Sequence, residues 1–297
     1  MSRALVNNIE LEYRDIGNPD DPAILLVMGF AASMKLWPES LVECMVSKGL
    51  RVIMLDNRDA GLSQKMEESK HPSLLWAIVK NRLGWPIEST YTLDDMADDV
   101  MALADYLGIE KFHLMGASMG GMISQVVTCR DEDRVLSLTS IMSTNGSRAS
   151  GTTKLNAVRK LAGLCVKRNS KEEYRQALME VFQFINESPI RMEEEEIREI
   201  VDHMISCDYQ ATAAKRQCFA MLRAGDRTKQ LQEIRTPTLV LHGTHDRLLP
   251  KEHAVSTARC IPNAKLEILE GFGHTLPEKL GDRVGRIVSD HVFAATA

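Results

Sequence analysis

Six short, mostly apolar runs recur along the chain and predict β-strands that are buried on both faces. They cover residues 23–28, 51–55, 111–115, 135–141, 238–241 and 265–269. Near the N-terminus the pattern changes to alternation, which places Ile9, Leu11 and Tyr13 on one side of an extended segment. The preceding Asn7-Asn8 pair predicts a tight turn. We therefore expect an antiparallel hairpin at the edge of a larger sheet.

Segments with helical spacing separate these runs. The clearest helix is expected to begin after Thr92, because Thr92 is a good N-cap and Asp95, three residues on, completes a capping box. Apolar residues then recur at helical spacing until Gly108 (Met96, Val100, Leu103 and Leu107). Strands that alternate with helices favour a mainly parallel, twisted sheet flanked by helices on both faces.

The alternation of strands and helices stops for almost ninety residues after the fourth apolar run, at residues 135–141. In this stretch, residues 174–185 and 197–205 carry apolar side chains at i, i+3 and i+4, which is typical of amphipathic helices. The strand pattern returns near residue 236. We therefore predict an α/β core built from residues 1–144 and 232–297, with a helical insertion at residues 145–231.

Composition and charge exclude several classes of protein. The 297 residues are 44% hydrophobic and 26% charged, as in an ordinary globular protein, and the net charge of -5 argues against a nucleic-acid partner. No segment is apolar for the roughly 20 residues that cross a bilayer, and the N-terminus lacks the apolar region of a signal peptide. The six cysteines form no C-x-x-C pair. We expect a cytoplasmic protein with reduced thiols, no metal, no cofactor and no membrane partner.

The strongest chemical signal is the segment KFHLMGASMGG, in which G-x-S-x-G lies between a strand and a helix. A serine on such a sharp turn has its hydroxyl exposed above the sheet, which predicts Ser118 as a nucleophile. Gly116 and Gly120 are expected because a Cβ at either position would clash with the turn. The N–H of Met119 then points toward a substrate oxyanion.

A serine nucleophile needs a base and an acid, which follow it along the chain in this motif. His274 lies in a glycine-rich loop after the last strand, and Asp246 follows the strand before it. Both are at the edge of the sheet where sites of α/β proteins lie. His245 competes as the base, and Glu270 or Asp226 as the acid. The remaining histidines downstream are expected to be exposed (His203, His253, His291) or structural (His242).

A second oxyanion donor is expected from the loop after the first buried strand. Gly29 permits a turn there, and we assign the donor to the N–H of Phe30. The alternative is an ordinary glycine at the end of a strand.

The segments LLVMGF, LDNRDAGLS, GASMGG, LHGTHD and GFGH resemble, in order and spacing, the motifs of the α/β-hydrolase superfamily. The resemblance is greatest to bacterial esterases of the aclacinomycin methylesterase type. It implies the α/β-hydrolase fold, with residues 145–231 as a cap inserted after strand six and covering the site. It also implies a structural role for Asp56, Asn57 and Arg58. Many members have His-Gly where this chain has Met28-Gly29, and a serine nucleophile argues against dehalogenases and epoxide hydrolases.

The expected reaction is hydrolysis of a small or medium hydrophobic carboxylic ester through an acyl-enzyme on Ser118. A lactonase or a C–C bond hydrolase with the same three residues is the first alternative, and a ligand-binding protein without catalysis is the second. Four apolar residues of the insertion are expected either to line the pocket or to pack between its helices (Phe182, Phe184, Met204, Met221). The expected partner is a small ester or lactone.

Overall fold

A computed structural model of the chain describes residues 2–67, 73–150 and 155–296. These residues form one sheet of eight strands in the order β1-β2-β4-β3-β5-β6-β7-β8. The strands are β1 (Ser2–Val6), β2 (Ile9–Ile16), β3 (Ala23–Val27), β4 (Arg51–Leu55), β5 (Phe112–Ala117), β6 (Val135–Ile141), β7 (Thr238–Gly243) and β8 (Lys265–Leu269). All six strands predicted from apolar runs are confirmed.

Strands β3 to β8 pair in parallel, and only β1 and β2 run antiparallel to their neighbours. The predicted N-terminal hairpin is therefore confirmed, with Val6 paired to Ile9 across the turn. Asn7 and Asn8 both have positive φ, at 47° and 61°, as this tight turn requires.

Helices cover both faces of the sheet. They are α1 (Glu39–Ser47), α2 (Leu74–Leu83), α3 (Leu93–Tyr106), α4 (Met119–Arg130), α5 (Leu155–Leu164), α6 (Lys171–Ile185), α7 (Glu194–Ser206), α8 (Ala211–Ala224), α9 (Thr228–Leu231), α10 (Glu252–Cys260) and α11 (Glu278–Thr296). Alternate residues of β3 enter different cores: Leu25 packs with α3 and α4, whereas Leu26 packs with α1 and α11. A strand with both faces buried in this way must be apolar throughout, as the continuous runs indicated.

The capping box at the start of α3 is also confirmed. The N–H of Asp95 donates to Thr92 Oγ1 at 3.1 Å, and the N–H of Thr92 donates to Asp95 Oδ2 at 2.7 Å. These two bonds satisfy backbone donors that the first turn of a helix leaves without partners.

The described part of residues 145–231 contains helices α5 to α9 and one isolated bridge, between Ile190 and Phe272. Helices α6 and α7 pack on each other through an apolar cluster of their own, which includes Leu178, Phe182 and Val201. Helix α8 differs, because Ala220 belongs to the core that contains α3 and α4. Helix α8 thus packs into the same core as α3 and α4.

His291 was expected at the surface, but the structure buries it on α11, where only 6% of it is exposed. Helical position alone does not reveal whether a histidine faces the sheet. His113 on β5 is fully buried nearby and bonds through Nδ1 to Ser137 Oγ at 2.8 Å. Burial lowers the pKa of His113 to about 4, and the charge of His291 adds to this effect.

The low pKa of His113 predicts a loss of stability in mild acid. An unfolded histidine takes up a proton near pH 6.5, whereas folded His113 remains neutral to about pH 4. Protonation therefore favours the unfolded chain as the pH falls through this window. The free energy of unfolding should drop by up to about 3 kcal/mol from this residue.

Urea denaturation at pH 7, 5.5 and 4.5 measures this effect. His113→Gln should flatten the dependence on pH, while His245→Gln, at an exposed position, serves as the control. An unchanged slope in His113→Gln would contradict the assignment.

Candidate active site

Ser118 lies on the turn between β5 and α4. Its backbone has φ 54° and ψ -117°, a conformation that L-residues rarely adopt. Two bonds hold the turn: the N–H of Ser118 donates to the carbonyl of Ile141 at 2.9 Å, and Ser143 Oγ donates to the carbonyl of Ser118 at 2.7 Å. The strained geometry is thus supported from the end of β6 and from Ser143 just beyond it.

Gly116 and Gly120 allow this turn to close. A Cβ on Gly116 would lie 2.2 Å from the carbonyl oxygen of Gly120, and a Cβ on Gly120 would lie 1.9 Å from that of Val27. Both distances are far inside van der Waals contact, so only glycine fits. The second contact also brings the end of β3 next to Ser118.

Three predicted residues meet above the carboxyl ends of the strands. His274 Nε2 is 3.0 Å from Ser118 Oγ, and His274 Nδ1 is 2.6 Å from Asp246 Oδ2. If His274 Nδ1–H donates to the carboxylate, its Nε2 carries a lone pair that accepts the hydroxyl proton of Ser118. The side chains of His274 and Asp246 are 5% and 0% exposed, which shields this chain of bonds from water.

Asp246 is held by more than His274. Its Oδ1 accepts the N–H groups of Leu248 and Leu249, both at 2.8 Å, and its Oδ2 lies 3.3 Å from His242 Nε2. Burial alone would raise the pKa of Asp246, but the charge of His274 and bonds from His242 and His274 outweigh it, so the pKa lies below the usual range. The carboxyl is therefore ionised at neutral pH. His242 also bonds to the carbonyl of Leu249 at 2.8 Å, as expected for a structural histidine.

The competing residues lie elsewhere. His245 is exposed and bonds to Thr244 through Nδ1 at 2.8 Å. Glu270 and Asp226 are exposed as well, and Asp226 bonds to Thr228.

The loop after β3 approaches Ser118 closely. A Cβ on Gly29 would lie 3.2 Å from Ser118 Cβ, so Gly29 allows close contact. Within this turn, the residue with positive φ is Ala31, at 54°. No hydrogen bond of the described residues uses the N–H of Phe30 or Met119. As the first residue of α4, Met119 has no acceptor within its helix.

Sequence reasoning missed the side chains of the insertion that hold these loops. Gln217 of α8 accepts the N–H of Ala31, and Asn186 accepts the hydroxyl of Thr275 at 2.8 Å, next to His274. The N–H of Ile190 also donates to the carbonyl of Gly271 at 2.9 Å. Polar residues on amphipathic helices and in their connecting loops carry no local signal of such partners.

A cavity of about 430 Å³ opens from Ser118 and His274. About half of the residues that line it belong to the insertion, and most are aliphatic, aromatic or methionine. Phe182, Met204 and Met221 line it, but Phe184 does not and instead packs beside Leu248 and Leu249. The described lining residues include no aspartate, glutamate or lysine. Such a cavity suits an uncharged, hydrophobic ligand of moderate size.

Two further histidines are less exposed than expected. His253 is 6% exposed, lines the cavity and bonds to Thr144 Oγ1 at 2.9 Å. His203 is half-buried and lies 3.2 Å from Ser33 Oγ. Both sit where the insertion meets the core, so their burial depends on contacts that are distant along the chain.

The described ranges contain no group of three or more residues arranged to ligate a metal. No helix within them is long and apolar enough to span a bilayer. All six cysteines are free thiols.

Comparisons with known proteins agree with this architecture. A family model described as alpha/beta hydrolase fold matches residues 22–279. Among curated proteins, the chain is similar to the rhodomycin D methylesterase DnrP of Streptomyces peucetius, with 25% identity over 99% of both chains. The resemblance to methylesterases noted from the motifs is thereby confirmed.

Solved structures support the predicted fold. A meta-cleavage product hydrolase (CumD) from Pseudomonas fluorescens IP01 superposes with a TM-score of 0.76 at 18% identity, covering 99% of this chain and 98% of that one. An enol-lactonase from Burkholderia xenovorans LB400 gives a TM-score of 0.75 at 22% identity, covering 98% and 100%.

The close approach at Gly120 predicts a large loss of stability on substitution. Gly120→Ala should lower the free energy of unfolding by about 3 kcal/mol or more, because the new methyl group must displace the end of β3. Gly163→Ala is the matched control: nothing lies within 4 Å of its Cβ position in α5, and alanine there should stabilise by about 0.5–1 kcal/mol. Urea denaturation measures both. A Gly120→Ala protein as stable as the wild type would contradict the described packing.

Proposed function

We propose that this chain, which belongs to the α/β-hydrolase fold family, is a serine hydrolase that cleaves a small or medium hydrophobic carboxylic ester. The observation that carries the proposal is the continuous chain of bonds from Asp246 through His274 to Ser118, at 2.6 and 3.0 Å. A nucleophile, a base and an orienting acid at these distances are what acyl transfer to serine requires.

In the proposed acylation step, Ser118 Oγ attacks the ester carbonyl while His274 Nε2 takes the hydroxyl proton. The carbonyl oxygen becomes an oxyanion, and Asp246 stabilises the charged imidazole. When the tetrahedral intermediate collapses, the bond to the alcohol breaks and His274 returns the proton to the leaving oxygen. The acyl group remains on Ser118 as an ester.

Deacylation repeats these proton transfers with water as the nucleophile. His274 takes a proton from water, the resulting hydroxide attacks the acyl carbon, and the proton passes to Ser118 Oγ as the acid leaves. The N–H groups of Phe30 and Met119 are proposed to bind the oxyanion in both steps. Their lack of another acceptor among the described hydrogen bonds supports this role.

The cavity supports an ester that is hydrophobic. Its walls include Phe182, Met204 and Leu249, and the described lining holds no acidic side chain or lysine. Its two arginines are already engaged: Arg227 donates to the carbonyl of Thr144 at 2.7 Å, and Arg148 to that of Arg82 at 3.0 Å. An apolar acyl or alcohol group therefore fits better than a dicarboxylate. The methylesterase relative agrees with this choice of bond.

The same three side chains also suit a lactone, which is an ester closed into a ring, or a C–C bond next to a ketone. A ligand-binding protein would not need the bonds between Asp246, His274 and Ser118. These alternatives differ from ester hydrolysis in substrates that can be assayed.

A fluorophosphonate probe should label the wild type, and Ser118→Ala should abolish the labelling because the probe reacts with an activated serine. The wild type should then be tested on p-nitrophenyl esters of increasing acyl length, on enol lactones and homoserine lactones, and on vinylogous diketones. We expect ester turnover to be greatest with medium apolar acyl groups. Negligible turnover of every ester would refute the proposal and leave the lactones and diketones to identify the bond.

Asp246→Asn should fold normally but lower kcat by roughly 10⁴, because the amide favours the wrong tautomer of His274. Steady-state kinetics and circular dichroism on the same preparation measure the two effects. A variant with near-normal kcat would show that another group orients His274.

A further inference from the structure

We propose that Gln217, a residue of α8 in the insertion, is a positioning residue for the oxyanion-binding turn. The turn comprises residues 29–32. The inference rests on the proposed function, because it concerns how the N–H of Phe30 is held toward the oxyanion.

The turn is weakly held by its own bonds. Its closing bond, from the N–H of Ala32 to the carbonyl of Gly29, is long at 3.3 Å. Ala31 at its centre has φ 54°, which disfavours any residue with a Cβ. A turn with this geometry needs support from outside to keep its peptide planes in one orientation.

Gln217 supplies that support with both ends of its amide. Its Oε1 accepts the N–H of Ala31 at 2.7 Å, and its Nε2 donates to the carbonyl of Arg58 at 2.7 Å. The residue is 0% exposed, so neither bond competes with bulk water. Because the amide has a donor end and an acceptor end, the two bonds allow only one orientation of the side chain.

The carbonyl that Gln217 uses as its anchor is itself fixed. Arg58 Nε and Nη2 both bond to the carboxylate of Asp99 at 2.6 Å. The neighbouring Asn57 Nδ2 donates to the carbonyl of Met28 at 2.8 Å, just before the turn. The loop after β4 is therefore bonded to the residue before the oxyanion-binding turn through Asn57, and to the turn itself through Gln217.

Helix α8 is held in place next to Gln217. Arg216 Nε and Nη2 bond to the two carboxylate oxygens of Asp59 at 2.8 and 2.7 Å, with both side chains almost fully buried. Tyr91 donates to the same carboxylate at 2.7 Å. This ion pair positions α8, and Gln217 transmits that position to the turn.

The bond to Gln217 also decides which amide is left for substrate. The N–H of Ala31 is committed to Gln217, whereas that of Phe30 has no acceptor among the described hydrogen bonds. Gln217 is not among the described residues that line the cavity, so it touches no reacting atom. Its effect must pass through the peptide between Phe30 and Ala31.

Gln217→Met keeps the length of the side chain and removes both bonds. We expect kcat on the best p-nitrophenyl ester to fall about 10- to 100-fold with little change in KM, because the oxyanion forms only after substrate has bound. Affinity for a trifluoromethyl ketone, which forms an oxyanion on Ser118, should fall by a similar factor.

Tyr91→Phe is the matched control, since it removes one buried bond to Asp59 but leaves the two bonds between Arg216 and Asp59 that position α8 and both bonds of Gln217. Its thermal stability should fall, while its kcat and ketone affinity should stay within a few-fold of the wild type. Equal losses of kcat and ketone affinity in the two variants would show that Gln217 acts only through general packing and would overturn the proposal.

Hydrogen exchange, followed by mass spectrometry of the peptide that contains residues 28–32, tests the same contact without any substrate. Exchange should be faster in Gln217→Met than in the wild type or Tyr91→Phe. Unchanged exchange would overturn the proposal. If the wild type hydrolysed no ester but exchange still rose, the ester assignment would fail while the structural hold of Gln217 on the turn would stand.

Discussion

The left-handed backbone of Ser118 is the constraint on which the rest of the site depends. A serine with φ 54° directs its hydroxyl away from the sheet, and the turn closes only because Gly116 has no Cβ to clash with the carbonyl of Gly120. The absence of a Cβ on Gly120 lets α4 approach the end of β3 at Val27, and the loop after β3 carries Gly29 next to Ser118. The nearness of the proposed oxyanion-binding turn to the proposed nucleophile thus follows from one close contact between α4 and the end of β3.

Much of this arrangement could be predicted because its causes are local in the sequence. Parallel strands buried on both faces are continuous apolar runs, and their carboxyl ends lie at the same edge. His274 and Asp246 follow the last two strands, so the order of the elements was enough to predict that both lie at this edge. The turn at Ser118 required two glycines at fixed spacing, which is a local steric requirement.

The contacts that could not be predicted join residues far apart along the chain. Gln217 and Ala31 are 186 positions apart, and Arg216 and Asp59 are 157 apart. Arg216 and Gln217 are polar residues on an amphipathic helix, so the sequence pattern predicts that they face solvent. Periodicity identifies the apolar face but does not show where polar side chains find partners. Asp59 is a similar case. Its φ is 68°, a conformation that favours glycine, and the bonds that offset the cost come from Arg216 and Tyr91, which are both distant along the chain.

The segment 145–231 therefore does more than line the cavity. Asn186 and Ile190 contact the loop that carries His274, and Gln217 contacts the turn beside Ser118. Asn186, Ile190 and Gln217 are not among the described residues that line the cavity, whereas apolar residues of the same segment form much of its wall. Side chains such as Phe182 and Met204 can then be substituted to fit different substrates, because the bonds that align the proposed triad and the proposed oxyanion-binding turn do not pass through them. The geometry of the chemistry and the shape of the cavity come from the same helices but from different residues.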